Sequence, residues 1–281
     1  MTKIGPYNIV SLETGRFGLD GGAMFGVVPK TLWSRTNPSD ECNRITLAMR
    51  ALLIQDQKHK ILVDLGCGHK FSGKQKEIYQ VDYNQFTLLG SLASHGIGPQ
   101  DITDVIITHF HFDHAGGATC YRNDRLELTF PSARHYVQRR QWEWALNPSE
   151  KDRGSYMEMD MEPFHDHANL KILEGPCELF PGLHLLISNG HTPGLQMVKI
   201  KDDATTLFYC GDMMPTASHL PLPYLMGFDV DPLTTIEEKR HYLQQAFKEN
   251  WIIALQHDPV EQAIRIQPGK KHYEIRESVR L

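Results

Sequence analysis

The segment 108–117, THFHFDHAGG, places three histidines and one aspartate within six consecutive positions. These residues are His109, His111, Asp113 and His114. Unpaired polar side chains are costly to bury, so an ordinary hydrophobic core would exclude them. The pattern therefore predicts either a solvated loop or a metal site. Adjacent residues point in different directions, so four such side chains can serve two metal ions, and imidazole with carboxylate suits Zn²⁺, iron or Mn²⁺.

Three further polar residues each follow a buried apolar run and stand beside a Gly or Pro turn signal. They are His191 in SNGHTPG, Asp212 in CGDMMP and His257 in LQHDP. A single residue of this kind is typical of a loop or a cap. Together with the first cluster, the three predict the remaining ligands of a two-metal site.

The histidine cluster must be positioned by a strand, because chemistry in enzymes commonly lies on loops held by rigid elements. Apolar runs at 61–63 and 105–107 predict two buried strands, and the second ends directly before the cluster. Asp64 follows the first run and is the best candidate to orient a ligand imidazole. Asp101 and Asp104 are weaker candidates, since capping of a turn explains them better.

Helical patterns flank the predicted strands. One helix is predicted from about Asn84, with Gly96 as its C-cap, and another over RRQWEWAL. A third is predicted to begin at a capping box of Thr234 or Thr235 with Glu237 or Glu238. The segment WIIALQH then predicts a final buried strand. Two strand-rich halves, each with helices, predict a single layered α/β sandwich.

The polar segment 147–169 is rich in Met and acidic residues and is predicted to be an exposed helix or a flap. It contains His165 and His167, a second pair of closely spaced histidines. No strand pattern precedes this pair, so we expect both side chains to be solvent exposed and not to bind a metal.

Length and charge bound the functional classes. The chain has 281 residues, enough for one large domain or two small ones, and a net charge of -5. That acidic balance argues against a nucleic-acid partner. No apolar stretch approaches the ~20 residues of a membrane span, and the first residues lack a secretory pattern. Five cysteines without a C-x-x-C pair argue against a disulfide framework, so we expect a cytoplasmic protein.

The order H-x-H-x-D-H, a histidine in G-H-T-P-G, an aspartate in G-D and a late histidine resembles the metallo-β-lactamase superfamily over 64–257. The resemblance implies an α/β fold, a four-layer αβ/βα sandwich of two mixed β-sheets flanked by helices. It also implies one domain over 1–281, with metals at the ends of the sheets. Zinc-dependent lactamases of the main class carry a cysteine at the position of Asp212, which argues against an antibiotic hydrolase.

The same resemblance implies a role for each of the seven residues. One divalent ion would bind His109, His111 and His191, the other would bind Asp113, His114 and His257, and Asp212 would bridge both beside a bridging hydroxide. Zn²⁺ is the favoured metal, with Fe, Mn or Co as alternatives. Asp113 lies near the leaving oxygen in this arrangement and could carry a proton to it.

Two segments, LDGGAMFGVVPKTLWSRTNPSDECNRITLAMRALLI and GDMMPTASHLPLPYLMGFDVDP, resemble the quorum-quenching N-acyl homoserine lactonase branch (YtnP-like). Better-known members carry a tyrosine three residues after the bridging aspartate, where this chain has Pro215. Tyr224 or His219 is the predicted replacement. The segment 1–40 is expected to contribute to the substrate pocket or to a dimer contact, although an ordinary core explains it equally well. The pocket candidates are Met24, Phe25, Trp33 and His219.

The leading functional hypothesis is a dinuclear metal hydrolase that opens lactones, with N-acyl homoserine lactones as the favoured substrates. Organophosphate triesters and the thioesters of a glyoxalase II-like enzyme compete, because the same hydroxide can attack phosphorus or a carbonyl carbon. A nuclease is disfavoured by the acidic charge, and a diiron redox module by His111, which is a glutamate in that branch. The expected partners are a small-molecule substrate and a second copy of the chain, with no membrane.

Overall fold

The computed structural model describes residues 2–165 and 168–281. Its strands within these ranges are β1 (Thr2–Ile4), β2 (Tyr7–Asp20), β3 (Arg44–Gln55), β4 (Lys60–Val63), β5 (Asp104–Ile106), β6 (Thr119–Arg122), β7 (Arg125–Leu128), β8 (Arg134–Gln138), β9 (Leu170–Leu173), β10 (Cys177–Phe180), β11 (Leu183–Ser188), β12 (Leu195–Lys201), β13 (Thr206–Tyr209), β14 (Ile252–Ala254), β15 (Ala263–Pro268) and β16 (Tyr273–Val279). Its α-helices are α1 (Gly21–Phe25), α2 (Lys30–Trp33), α3 (Gly73–Ile78), α4 (Leu88–Ser94), α5 (Phe112–Ala115), α6 (Arg139–Leu146), α7 (Glu158–Met161) and α8 (Pro232–Lys248).

The strands form two seven-stranded sheets and a separate β6–β7 hairpin. The first sheet has the order β1-β2-β3-β4-β5-β8-β9, and the second runs in sequence order from β10 to β16. In the first sheet β4, β5, β8 and β9 are parallel, and the preceding pairs are antiparallel. In the second sheet only β13 and β14 pair in parallel. Both sheets are therefore mixed, as expected.

Apolar side chains fill the space between the two sheets and also the outer face of each one. Ile106 of the first sheet and Leu207 of the second belong to the same buried cluster. Leu92 of α4 and Ala145 of α6 cover the outer face of the first sheet, and Leu243 of α8 covers that of the second. Because both faces are covered, the central strands read as continuous apolar runs. The four-layer sandwich is confirmed.

The first predicted helix starts later than the apolar pattern indicated. α4 begins at Leu88, not near Asn84, because the Thr87 hydroxyl accepts a hydrogen bond from the Gly90 N–H at 3.0 Å and caps the helix. Gly96 follows the helix with φ +70°, the left-handed conformation that glycine adopts readily. The sequence predicted Gly96 as the C-cap of this helix, and it lies one residue after the C-cap, His95.

The predicted capping box of the last helix is wrong. Asp231 is the N-cap of α8, and its Oδ1 accepts a hydrogen bond from the Thr234 N–H at 3.1 Å. Pro232 takes the first helical position, where a missing N–H costs nothing. Glu238 instead accepts a hydrogen bond from the Asn189 N–H at 2.7 Å and fastens the helix to the loop after β11.

The strand in WIIALQH is not the last, because β15 and β16 follow it and extend the second sheet.

The segment 147–169 is also more buried than an exposed flap would be. It contains α7 and 3₁₀ turns, and Phe164 and Met161 are buried in the first-sheet core. His165 is exposed, as expected, and His167 lies outside the described residues. No helix in the described chain is long and apolar enough to span a membrane.

The Arg50 guanidinium ties the first sheet to the loop after β14. It pairs with Glu13 at 2.7 Å and donates hydrogen bonds to the carbonyls of Leu255 and Glu261 at 3.2 and 3.1 Å. We expect Arg50→Ala to lower the free energy of unfolding by about 3 kcal/mol or more, because buried carbonyls lose a donor at a cost of ~1–3 kcal/mol for each group. These are the carbonyls of Leu255, Asp258 and Glu261, while half-buried Glu13 keeps Arg16. Urea unfolding measures this loss.

Arg16→Ala is the matched control, because Arg16 also pairs with Glu13 but its side chain is 28% exposed. An exposed pair contributes about 1 kcal/mol or less. Equal losses in the two variants would contradict the role assigned to Arg50.

Candidate metal centre

The seven predicted ligands follow the carboxyl ends of strands at one edge of the sandwich. The segment 109–114 begins three positions after the last residue of β5, and His191 follows β11. Asp212 follows β13, and His257 follows β14. Parallel pairing of β13 with β14 brings the last two loops to the same edge of the second sheet. The strand ends therefore gather residues that lie far apart in the sequence.

One group of four side chains offers ligand atoms that all lie within 4.8 Å of one another: His109, His111, His191 and Asp212. The Nδ1 atom of His111 lies 3.1 Å from Nε2 of His191, and the Asp212 Oδ2 atom lies 3.4 Å from that same Nε2. All four side chains are buried. Three imidazoles and one carboxylate thus converge on a volume that one ion would fill.

A second group with the same spread consists of Asp113, His114, Asp212 and His257. The Nε2 atoms of His114 and His257 lie 3.2 Å apart, and Nε2 of His257 lies 3.1 Å from Oδ1 of Asp212. Asp113 Oδ2 lies 3.5 Å from Nε2 of His257. Asp212 belongs to both groups, so its two oxygens can serve two neighbouring ions.

The donor atoms fit divalent metal ions better than they fit one another. Within the described part of the chain, the Nε2 atom of His109 is buried without a hydrogen-bond partner. Such atoms are rare in folded proteins and call for an explanation such as a bound ion. Imidazole nitrogen and carboxylate oxygen at this spacing match the ligand preference of Zn²⁺ and related cations.

The titration behaviour of the site also indicates a place for positive charge. Burial, followed by the neighbouring imidazoles, holds the pKa of His109 and His111 well below the usual value, so both are neutral, as ligation requires. Burial lowers the pKa of His114 and His257 as well, but the charge of Asp212 outweighs it and raises both values. Burial raises the pKa of Asp212, yet His114 and His257 hold it well below 3.8. Protons on two imidazoles thus balance the carboxylates when no cation does.

Asp64 supports the second group, as predicted. Its Oδ2 lies 3.1 Å from Nδ1 of His114, and its oxygens accept hydrogen bonds from the Thr108 N–H at 2.8 Å and the Thr108 hydroxyl at 2.9 Å. Tyr209 of the second sheet donates its hydroxyl to the same carboxylate at 3.1 Å. Asp64 therefore fixes the His114 ring so that Nε2 faces the site.

Asp229 supports the first group and was missed from the sequence. Its Oδ1 lies 2.9 Å from Nδ1 of His191, and both side chains are buried. No strand pattern precedes Asp229, so no local signal marked it. His257 is held in the same manner, with Nδ1 2.8 Å from the Ala48 carbonyl.

Asp101 and Asp104 do not reach the ligands. Asp101 accepts a hydrogen bond from the Gly98 N–H at 2.7 Å and caps a short 3₁₀ turn. Asp104 begins β5, at the end remote from the cluster, where Tyr136 and Arg134 contact its carboxylate at 3.0 and 2.8 Å. The preference for a structural role at both positions was therefore correct.

A cavity of about 230 Å³ opens onto the ligand groups. His111, Asp113, His191, Asp212 and His257 line its floor. Apolar and aromatic side chains line its walls: Leu19, Met24, Leu47, Tyr79, Phe112, Met226 and Phe228. Lys151, Gly154 and Ser155 complete it. Apolar walls around a few polar groups are typical of a small-molecule site.

Of the four pocket residues predicted from the sequence, Met24 lines this cavity. Phe25, Trp33 and His219 are buried behind it, with the Phe25 ring stacked on Trp33 at 5.5 Å and on His219 at 4.6 Å. His219 Nε2 lies 2.8 Å from the Met24 carbonyl oxygen. These three residues therefore support the wall from behind, outside the cavity.

Tyr224 lies outside the metal cavity, so its position does not support a catalytic role. It faces Phe25 edge-on at 6.2 Å and lines a separate surface groove with residues 268–273. Buried Lys239 donates hydrogen bonds to the carbonyls of Pro221 and Tyr224 at 2.9 and 2.8 Å. These hydrogen bonds fix the loop against α8, with Tyr224 outside the metal cavity.

Asp64→Asn tests the support of the second group. We expect the affinity for divalent ions to fall about 10–100-fold, because loss of the carboxylate charge weakens the orientation and basicity of His114. Competition with a chromophoric chelator measures the affinity. Asp104→Asn is the matched control, a buried carboxylate of the same sheet that is remote from the site. Equal affinities for both variants would refute the role of Asp64.

Metal binding should release protons. Because the folded pKa values of His114 and His257 are raised above 6.5, both imidazoles are charged at pH 6 in the metal-free protein. They stabilise the metal-free fold below pH 6.5, and this contribution is lost as the pH rises through the folded values. We expect about two protons to be released per chain on loading at pH 6, fewer at higher pH, and tighter binding as the pH rises.

Calorimetry in buffers of different ionisation enthalpy counts these protons. A control titration of Asp203→Ala, a change on an exposed turn away from the ligand groups, should release the same number of protons as the wild type. Metal loading at pH 6 without proton release would contradict the positive charge assigned to His114 and His257.

Comparison with known proteins agrees with this geometry. The model of the metallo-beta-lactamase superfamily matches residues 50–257. An N-acyl homoserine lactonase from Bacillus thuringiensis is 29% identical over 238 residues, which cover 80% of this chain and 87% of the relative.

Solved structures give the same result. A probable metal-dependent hydrolase from Staphylococcus aureus has a TM-score of 0.88 at 30% identity and covers 99% of this chain and 100% of its own. AidC, a dizinc quorum-quenching lactonase solved with a product, N-hexanoyl-L-homoserine, shares the fold with a TM-score of 0.82 at 20% identity, covering 100% and 97%. The chain belongs to the metallo-beta-lactamase superfamily and is a metallo-hydrolase homologous to N-acyl homoserine lactonases.

Proposed function

We propose that this protein is a lactonase that opens N-acyl homoserine lactones or related lactones. The observation that carries the proposal is the juxtaposition of two ligand groups with an apolar-walled cavity of about 230 Å³. In this cavity the carbonyl of a lactone ring would lie at the floor, beside the ligand groups. The acyl chain would lie along the apolar walls. The N-acyl homoserine lactonase that is 29% identical to this chain supports the same substrate class.

We assign the ligand roles as the sequence predicted, with His109, His111 and His191 for one ion, Asp113, His114 and His257 for the other, and Asp212 shared. Two divalent ions bound there would lower the pKa of water toward ~7 and polarise a carbonyl oxygen. Zn²⁺ is our choice of metal, because the donor set suits it and AidC is a dizinc enzyme.

Asp113 is the residue of this chain best placed to move a proton. It lines the cavity floor, and its carboxylate is 9% exposed, so it is open to substrate on one side. A carboxylate there can accept a proton from the attacking water and pass it to the leaving oxygen. Asp212 acts by holding the ligand groups together.

The wall provides the specificity in this proposal. Met24 and Leu19 bring the segment 1–40 to the cavity, and Met226 and Phe228 face it from the loop before α8. An acyl chain laid along these side chains would lose its hydration, which favours binding by about 0.8 kcal/mol per buried CH₂. Substrates without such a chain should therefore bind more weakly.

We also propose that 1–281 is one domain, because hydrogen bonds join the halves near the site. The Gln196 N–H donates to the Thr108 carbonyl at 2.9 Å, and Arg50 reaches the carbonyl of Leu255.

A homodimer is supported by Val27, which is 95% exposed in the apolar segment that includes α1. The five unpaired cysteines support a reducing cytoplasm.

A thioesterase would need basic side chains beside the cleft to bind the carboxylates of glutathione. The C-terminal candidates Lys270 and Lys271 instead line the surface groove that holds Tyr224, separate from the metal cavity. Their position gives no support to the thioester alternative. Lactone hydrolysis remains the proposed reaction.

The test is proton release when metal-loaded protein meets a long-chain N-acyl homoserine lactone. We expect rapid ring opening by the wild type. Asp212→Ala should lose both ions and lower kcat/KM on the order of 10³-fold or more, because the carboxylate common to both groups is removed. Asp203→Ala, on an exposed turn, is the control and should retain both ions and activity.

Metal content is measured beside the rates. Two ions retained in Asp212→Ala would refute its shared role. Fully metallated wild type that opens no lactone would refute the proposed substrate, and phosphotriesters and thioesters would then be assayed.

A further inference from the structure

Three polar side chains that are not assigned as ligands line the metal cavity among the described residues: Tyr79, Lys151 and Ser155. Lys151 is engaged, because its Nζ donates a hydrogen bond to the Gly227 carbonyl at 2.5 Å. Its charge also helps to lower the pKa of His111, which places it on the side of the first ligand group. Tyr79 lines the cavity close enough to Asp113 to feel its charge, and its hydroxyl has no hydrogen-bond partner among the described residues.

Hydrogen bonds hold both the backbone N–H and the backbone carbonyl of Tyr79. Tyr79 is the C-cap of α3, where its N–H donates to the Gln75 carbonyl at 2.9 Å. Its own carbonyl accepts a hydrogen bond from the Gly18 N–H at 2.7 Å, which joins it to β2. The residue is therefore positioned by a strand and a helix, as a preorganised donor requires.

The ring of Tyr79 packs against the helix that carries Asp113. It lies 4.6 Å from the Phe112 ring and 5.6 Å from the Phe71 ring, measured between centroids. Phe112 directly precedes Asp113 on α5. Burial and then the Asp113 charge raise the pKa of Tyr79, so its hydroxyl keeps its proton and remains a donor at neutral pH.

Two other tyrosines near the site are excluded by their contacts. The Tyr156 hydroxyl is buried and lies 2.8 Å from Oγ1 of Thr192, so it is not available to substrate. Tyr224 lies outside the cavity. Pro215, at the position where a tyrosine was expected, offers no donor. Tyr79 thus comes from a different part of the chain than the sequence predicted.

We propose that Tyr79 is a catalytic residue whose hydroxyl donates a hydrogen bond to the leaving oxygen of the ester. Water adds to the carbonyl carbon, and the bond from that carbon to the ring oxygen breaks. The Asp113 carboxylate takes a proton from the water and delivers it to the departing oxygen, while Tyr79 stabilises the negative charge there and retains its own proton. The products are a hydroxyl and a carboxylic acid, which loses its proton to solvent. This role rests on the proposed ester-hydrolase function.

Tyr79→Phe in the metal-loaded full chain tests the proposal, because phenylalanine keeps the ring packing and removes only the donor. We expect kcat for lactone opening to fall about 10²-fold, the effect of removing one oxyanion donor, with KM changed less than about threefold. Metal content and unfolding midpoint should equal those of the wild type. Tyr121→Phe, on the exposed β6–β7 hairpin, is the control, and Tyr224→Phe tests the competing position.

A series of acetate esters with leaving groups of different pKa separates this role from a structural one. The loss caused by Tyr79→Phe should be large for alkyl esters and small for 4-nitrophenyl acetate, whose leaving oxygen needs little stabilisation. A loss independent of the leaving group, or no loss, would overturn the proposal. So would a larger loss in Tyr224→Phe than in Tyr79→Phe.

The ester series also keeps this test separate from the proposed substrate. If the wild type hydrolyses esters but opens no homoserine lactone, the lactonase proposal fails and the leaving-group dependence still decides the role of Tyr79. If the wild type opens lactones and Tyr79→Phe matches its rates across the series, the role of Tyr79 alone is refuted.

Discussion

One buried carboxylate, Asp64, joins the two sheets to the loop that carries most of the ligands. It directly follows β4 and has φ +57°, an uncommon conformation for a residue with a side chain. From there it accepts hydrogen bonds from the backbone and hydroxyl of Thr108 and from Tyr209 of the other sheet, and it contacts His114. A buried charge is tolerated only when it is satisfied in this way. Removing it would leave the buried donors of Thr108 and Tyr209 without this acceptor.

Contacts on the outer side of the imidazoles decide which ring nitrogen faces the two candidate ligand groups. His114, His191 and His257 place Nδ1 against Asp64, Asp229 and the Ala48 carbonyl, all of which are acceptors, so Nδ1 carries the proton and Nε2 is free to bind an ion. His109 follows the same rule through the Thr108 hydroxyl, which donates to Asp64 and so accepts from Nδ1. The orientation of these four rings is therefore set by groups that lie outside the two candidate ligand groups.

The sequence predicted the fold class, the strands that hold the ligands, and Asp64, because buried strands leave apolar runs and ligands follow directly at their ends. The sequence patterns missed residues whose role depends on a contact with a residue far away along the chain. Asp229 reaches His191 across 38 positions, and Tyr79 reaches the cavity only because α3 packs beside Phe112. The start of α8 was misplaced because two local capping patterns competed, and Pro232 favours the earlier one. Local patterns thus indicate candidate ligands, whereas tertiary packing determines their hydrogen-bond partners and the pocket.

The cavity walls differ in how closely they are linked to the ligands. Met24 comes from the N-terminal segment, and a change in its side chain alters the wall while leaving the imidazole contacts in place. Phe228 is different, because Asp229 follows it directly and holds His191, and Val230 donates its N–H to the His191 carbonyl at 3.0 Å. A substitution that displaces this loop would disturb ligand orientation as well as shape. Substrate preference can therefore vary at the Met24 side independently of metal binding, whereas at the Phe228 side the two are coupled.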